Sequence, residues 1–172
     1  MQKILVVVDM QNDFIDGALG TKEAQGIVEG VKQKIKDFDG KVIFTRDTHP
    51  ECYLDTQEGK KLPVKHCIKD TQGWQITNEL LPYVGDNVID KPTFGSTELM
   101  ELLIEENESE EIESITFIGL CTDICVISNV MLAKANFLEA EIIVEAGLCA
   151  GVTPQSHENA LEAMKMCQIT IK

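Results

Sequence analysis

The sequence predicts an α/β fold, a doubly wound six-stranded parallel sheet in the order 3-2-1-4-5-6 with helices on both faces, and three observations predict it. Short apolar runs of strand length alternate along the chain with segments of helical spacing. The first run, Lys3 to Val8, is aliphatic almost throughout rather than alternating, the pattern of a central strand covered on both faces. Charged residues stand at the ends of the first three runs: Asp9, Asp47 and Lys91. They fall at the carboxyl ends of the strands, where such sheets bind ligands.

In chain order, the loop MQNDFIDGALG follows the first strand, and Ala24 to Phe38 carries Ile27, Val28, Val31 and Ile35 at helical spacing until Gly40 stops it. Lys41 to Arg46 is the second strand, with Asp47 and His49 just beyond. Pro50 to Trp74 has no clear period and is rich in polar residues, a long excursion of the kind that is usually functional inside a compact domain. A short helical turn is expected over Gln75–Leu81, a third strand over Asn87–Asp90 and a helix over Thr97–Glu106 packed through Leu99, Leu102 and Leu103. The eight glutamates from Glu98 to Glu113 read as that helix's solvated face and the loop after it. Ile115 to Ile118 is a buried strand ended by Gly119, and Thr122 and Asp123 offer N-cap oxygens for a helix beginning near Ile124 or Cys125 and running to about Leu138. A fifth strand over Glu141–Val144, a Pro154-initiated helix to Met166 and a sixth strand over Gln168–Ile171 complete the alternation.

With 172 residues, 44% hydrophobic and 26% charged, the chain is expected to form one domain over residues 1–172. Its formal net charge of −14 argues against nucleic acid and anionic membranes as partners and leaves a small-molecule substrate or another copy of itself. A homo-oligomer is therefore expected. No leader-like segment precedes KILVVV and no apolar run reaches the roughly 18 residues that span a bilayer, so a cytoplasmic location is expected. The six cysteines then read as reduced thiols.

One of them carries the chemistry. Cys125 falls in the first turn of a helix, beside unpaired N–H groups and the positive end of the macrodipole, which favour thiolate over thiol. As a nucleophile it is expected to titrate below a free cysteine and to be alkylated faster than Cys149 or Cys167; the alternative is a small buried hydrophobe. The predicted strand order places Asp9 and Cys125 on the two sides of the switch point between strands 1 and 4, with Lys91 joining from strand 3. Asp9 can take the thiol proton, Lys91 can stabilise the developing anion, and the N–H groups of Cys121 and Cys125 are the natural oxyanion donors. The reaction such a set supports is acyl transfer through a thioester. Without a nucleophile, Asp9 and Lys91 would read as a structural ion pair.

DMQNDF (Asp9–Phe14), TRDTHP (Arg46–Pro50 from Thr45), VKHC (Val64–Cys67), DKPTFGS (Asp90–Ser96) and GLCTDICV (Gly119–Val126), in this order, resemble the isochorismatase-like cysteine hydrolases, which include the nicotinamidases. The resemblance implies the Asp9, Lys91, Cys125 triad, a six-stranded parallel sheet and a cis peptide at Leu120–Cys121. Cys121 stands where relatives often have alanine. Asp47, His49, Glu58 and His66 follow at intervals similar to those of nicotinamidases that bind a divalent metal, and two imidazoles with two carboxylates suit zinc, with iron or manganese as alternatives. In that subfamily the metal holds the pyridine nitrogen of nicotinamide. Phe14 and Trp74 are candidates for an aromatic wall, with Tyr53 and Phe94 as further ones, and His157 reads as a supporting or capping residue.

The expected reaction is hydrolysis of nicotinamide to nicotinic acid and ammonia, feeding NAD salvage. The alternatives are a metal-free amidase of the same family acting on another small amide, ureido or carbamoyl compound, and a non-catalytic small-molecule-binding module. Isochorismate hydrolysis fits less well, since enzymes of that activity do not need the cysteine that this chain keeps.

Overall fold

The computed structural model describes residues 1–172. Six parallel strands lie in the order β3-β2-β1-β4-β5-β6, as the alternation of the sequence predicts. They are β1 (Gln2–Val8), β2 (Lys41–Asp47), β3 (Val88–Lys91), β4 (Ile112–Leu120), β5 (Glu141–Ala150) and β6 (Thr170–Ile171). The helices are α1 (Asn12–Ile15), α2 (Lys22–Asp37), α3 (Gln57–Lys61), α4 (Thr97–Ser109), α5 (Ile127–Asn136) and α6 (Pro154–Met166).

β1 runs through the middle of the molecule, and Ile4 to Val8 are all 0% exposed because successive side chains enter different cores. Ile4, Val6 and Val8 pack beneath α4, α5 and α6 with Leu99, Leu103, Val130 and Met164. Leu5 and Val7 pack on the other face against Ala24, Ile27, Val31 and Ile35 of α2. The helical spacing read from 24 to 38 is thus the stripe that covers the sheet, and Thr21 caps α2 by accepting from the Ala24 N–H at 3.0 Å.

Three expectations are corrected. Gln75–Leu81 is not helical: the Thr77 N–H donates to the Met10 carbonyl and the Asn12 N–H to the Gln75 carbonyl, both at 3.0 Å. The segment's backbone is committed to the loop after β1, and only Leu81–Tyr83 forms a 3-10 turn. The fifth strand continues to Ala150 rather than stopping at Val144, because a register shift opposite Phe117–Gly119 lets Cys149 and Ala150 pair with Gly119 and Leu120. The expected helix start near Cys125 is a π-helical turn, Thr122–Val126, and α5 begins at Ile127.

Candidate active site

The carboxyl ends of β1, β3 and β4 converge on one buried cluster. Asp9 follows β1 with φ 48°, and the Thr45 hydroxyl donates to its Oδ1 at 2.7 Å. Lys91, the last residue of β3, puts its Nζ 2.7 Å from Asp9 Oδ2 and donates to Cys125 Sγ at 3.3 Å and to the Thr93 carbonyl at 3.1 Å. Neither Asp9 nor Lys91 has exposed side-chain surface. The sequence thus brings an acid, an ammonium and a thiol into one dry contact, as the switch-point argument predicts.

Cys125 is set by the turn after β4. The Leu120–Cys121 peptide is cis, as the family resemblance implied. The Ile124 and Val126 N–H groups both donate to the Cys121 carbonyl, at 3.1 and 3.0 Å. Thr122 and Asp123 do not cap this turn with their side chains. The Thr122 hydroxyl is 2.7 Å from His157 Nδ1, and the Asp123 carboxylate accepts from the Val152 N–H at 3.1 Å, so both tie the turn to the β5–α6 connection. His157 is accordingly a supporting residue of this turn. Asn129, one helical turn after Cys125 and buried, donates to the carbonyls of Cys125 (2.8 Å) and Phe94 (3.1 Å) and accepts from the Ser96 N–H at 2.9 Å. It fixes the cysteine turn against the loop that follows β3.

Electrostatics here differ from the sequence reading. Burial, followed by the negative charge of Asp9, pushes the Cys125 thiol well above its usual range, which works against the thiolate that helix position favours. Burial also raises Asp9, against the opposing pull of Lys91. Burial alone would lower Lys91, but Asp9, Cys125 and Asp47 around it raise it, so it stays an ammonium. Burial and Asp9 thus oppose a thiolate on Cys125, while the acidic neighbours of Lys91 favour its ammonium form.

Beside it lies a second cluster. Asp47 closes β2, His49 follows the strand, Glu58 is on α3 and His66 lies five residues beyond that helix. Asp47 Oδ2 is 2.8 Å from His49 Nε2 and 3.5 Å from His66 Nε2, and Glu58 Oε1 is 3.6 and 3.9 Å from the same two nitrogens. The ligand atoms of Asp47, His49 and His66 all lie within 4.8 Å of one another. An ion held at about 2.1 Å keeps its ligand atoms no more than about 4.2 Å apart, so a small inward movement suffices. Two further observations fit a cation. Asp47 Oδ1 is buried without a hydrogen-bond donor, and His66 Nδ1 faces the Val64 carbonyl at 2.8 Å. A carbonyl only accepts, so a neutral His66 keeps its proton on Nδ1 and turns the Nε2 lone pair to Asp47. Burial works against ionisation of Asp47, but the hydrogen bond from His49 and the charge of Lys91 hold it well below the usual carboxylate range.

Both clusters open onto a cavity of about 630 Å³ lined by Asp47, Glu58 and His66, by Cys121 and Cys125, and by Phe14, Phe94 and other apolar side chains. Phe14 and Phe94 therefore stand where an aromatic wall was expected. Trp74 does not: its indole N–H donates to the Thr48 hydroxyl at 2.8 Å and its ring lies 3.8 Å from the Arg46 guanidinium, away from the cavity. A bulky ring in an excursion is as readily used to anchor that excursion, and this one is. Tyr53 backs the metal cluster instead, fully buried with its ring against His49 and His66 and its hydroxyl donating to the Leu62 carbonyl.

Sequence reasoning missed Gln11 and Asn129. The buried Gln11 amide donates to the carbonyls of Asp47 and Trp74, and its oxygen accepts from the Asp47 N–H, so it clamps the end of β2. For Asn129 a signal existed: an amide four residues after Cys125, on a helix otherwise apolar on that side, needs buried partners.

Among known proteins, the Isochorismatase domain matches residues 3–172. The nicotinamidase of Saccharomyces cerevisiae is 30% identical over 112 residues, 48% of this chain, and the match spans about half of that enzyme, 51%. The uncharacterized isochorismatase family protein PncA of Bacillus subtilis is 29% identical over 178 residues, covering 94% of this chain and 93% of that protein. The crystal structure of the pyrazinamidase of Pyrococcus horikoshii in complex with zinc superposes with a TM-score of 0.83 at 26% identity, covering 100% of this chain and 99% of that one. The class these findings define is the hydrolases of amide C–N bonds. By its sequence the chain belongs to the isochorismatase family.

Proposed function

We propose that the chain, folded as one domain over residues 1–172, hydrolyses nicotinamide to nicotinic acid and ammonia through a thioester on Cys125. The observation that carries the reading is the buried contact of Lys91 Nζ with both Asp9 Oδ2 (2.7 Å) and Cys125 Sγ (3.3 Å), with Cys125 in the lining of a largely apolar cavity.

Asp9 accepts the Cys125 proton as Sγ forms a bond to the amide carbon, and its raised affinity for that proton suits it to the task. Lys91 keeps the displaced negative charge paired throughout. The tetrahedral oxyanion is received by the backbone N–H groups of Cys121 and Cys125. Asp9 then returns the proton to the departing nitrogen, the C–N bond breaks and ammonia leaves. A water molecule, deprotonated by Asp9, attacks the thioester, the carbon–sulfur bond breaks and the proton goes back to Cys125 as the acid is released. Asp47, His49, Glu58 and His66 would hold a divalent ion, zinc or else iron or manganese, which when bound supplies a Lewis-acid anchor for the ring nitrogen. Phe14 flanks the ring. The product would enter NAD salvage in the cytoplasm, and the active species is proposed to be a homo-oligomer.

The test is ammonia release from nicotinamide by the purified protein, with and without a chelator, beside the Cys125→Ala variant. Release that stops in the variant and falls with the chelator is the expected result. No release with any added divalent metal, while Cys125 still reacts with an alkylating probe, discards nicotinamide and turns the reading to other small amides, ureido or carbamoyl compounds.

A further inference from the structure

One stretch of the excursion, bounded by Glu58 and Asp70, is locally basic. In a protein of formal net charge −14, residues 59–69 (GKKLPVKHCIK) contain four lysines and no acid. Lys60, Lys61, Lys65 and Lys69 are all exposed. None has a carboxylate within 4.0 Å, whereas Lys32, Lys34, Lys41 and Lys165 each pair with a glutamate. Lys61 stands in the cavity wall itself, with Gln57 one helical turn before it on α3. The acids nearest in the lining, Asp47 and Glu58, are turned to His49 and His66, which leaves the Lys61 ammonium uncommitted.

The cavity is also larger than one ring requires. At about 630 Å³ it falls in the size class that receives ligands of more than a single ring, and Leu19, Leu62, Phe94, Ile124 and Val152 make much of its length apolar. A ligand whose amide sits at Cys125 leaves that apolar length unfilled and Lys61 unanswered. An apolar stem ending in an acid satisfies both.

We propose that the site takes carboxamides bearing an anionic group on an arm remote from the amide, and that Lys61, with Gln57 beside it, is the specificity residue that holds that group. The inference rests on the amide-hydrolase reading of the same cavity and names its substrate class.

The test reads binding, so that it stands apart from turnover. A nicotinamide carrying a carboxyethyl arm on the ring carbon meta to the amide, and the methyl ester of the same compound, are titrated calorimetrically into full-length Cys125→Ala protein, with and without Lys61→Met. The acid is expected to bind about tenfold more tightly than the ester, as a charge-assisted contact allows, and to lose that advantage in the Lys61→Met background and at high salt. Equal binding of acid and ester, an advantage that survives Lys61→Met, or failure of the acid to bind each overturns the proposal. Nicotinamide hydrolysis by the unaltered chain is measured alongside, and its absence counts against the nicotinamidase reading alone.

Discussion

Lys91 is the residue on which the proposed chemistry turns, because a buried ammonium that touches both Asp9 and Cys125 leaves neither of them free to act alone. Cys125→Ala and Asp9→Asn should each lower kcat/KM for the amide by at least about a thousandfold, and the double variant should lose little more than either, since residues that act as one unit are not additive. Steady-state kinetics of the three proteins check this. The pH profile follows from the same contacts. Asp9 must be unprotonated to accept the thiol proton, and burial raises it, so activity should fall, as pH is lowered, at a higher pH than an ordinary aspartate would give. Lys91 is raised, so its deprotonation should not contribute to any loss below about pH 10. For the Cys125 thiol, sequence shows only one of the opposing influences. Helix position is visible in a sequence, but the desolvation and the neighbouring carboxylate that oppose it depend on what covers the thiol.

At the level of elements, the turn joining β4 to α5 shows what sequence can and cannot specify. Its position and its cysteine were legible from the apolar run, Gly119 and the polar residues after it. Its π-helical form was not, because Thr122 and Asp123 have the composition of caps but spend their side chains on His157 and Val152. Gly119 is required rather than merely permitted: its φ is +114°, and a Cβ there would lie 2.2 Å from the Val8 carbonyl oxygen on the adjoining strand. Gly119→Ala should destabilise the protein by about 3 kcal/mol or prevent folding, measured by urea unfolding. Asn129→Ala leaves the Cys125 and Phe94 carbonyls and the Ser96 N–H without their partner. It should cost about 2 kcal/mol of stability and lower kcat more than it raises KM, which combined unfolding and kinetic measurements would reveal.

For the whole molecule, the strand order and the carboxyl-end rim were legible because they follow from alternation and handedness, which the apolar pattern records directly. The meeting of Asp47, His49, Glu58 and His66 was suggested only through family resemblance, since the excursion that carries two of them has no period of its own. What assembles it is a set of single contacts: the Gly59 backbone lying so close under Tyr53 that a Cβ would sit 2.0 Å from its carbonyl, and the Cys67 N–H donating to Asp13. If those four residues hold a divalent ion, stripping it with a chelator should lower the thermal midpoint as well as activity, with both restored by readdition, and His66→Ala should be insensitive to the metal. No helix is long and apolar enough to cross a membrane. The most direct test of the central claim is mass spectrometry of the protein quenched in acid during turnover of nicotinamide. The account predicts one nicotinoyl group on the peptide that contains Cys125, present during turnover and gone when substrate is exhausted. Ammonia release with an unmodified Cys125 at every time point, or an acyl group on any other residue, would contradict it.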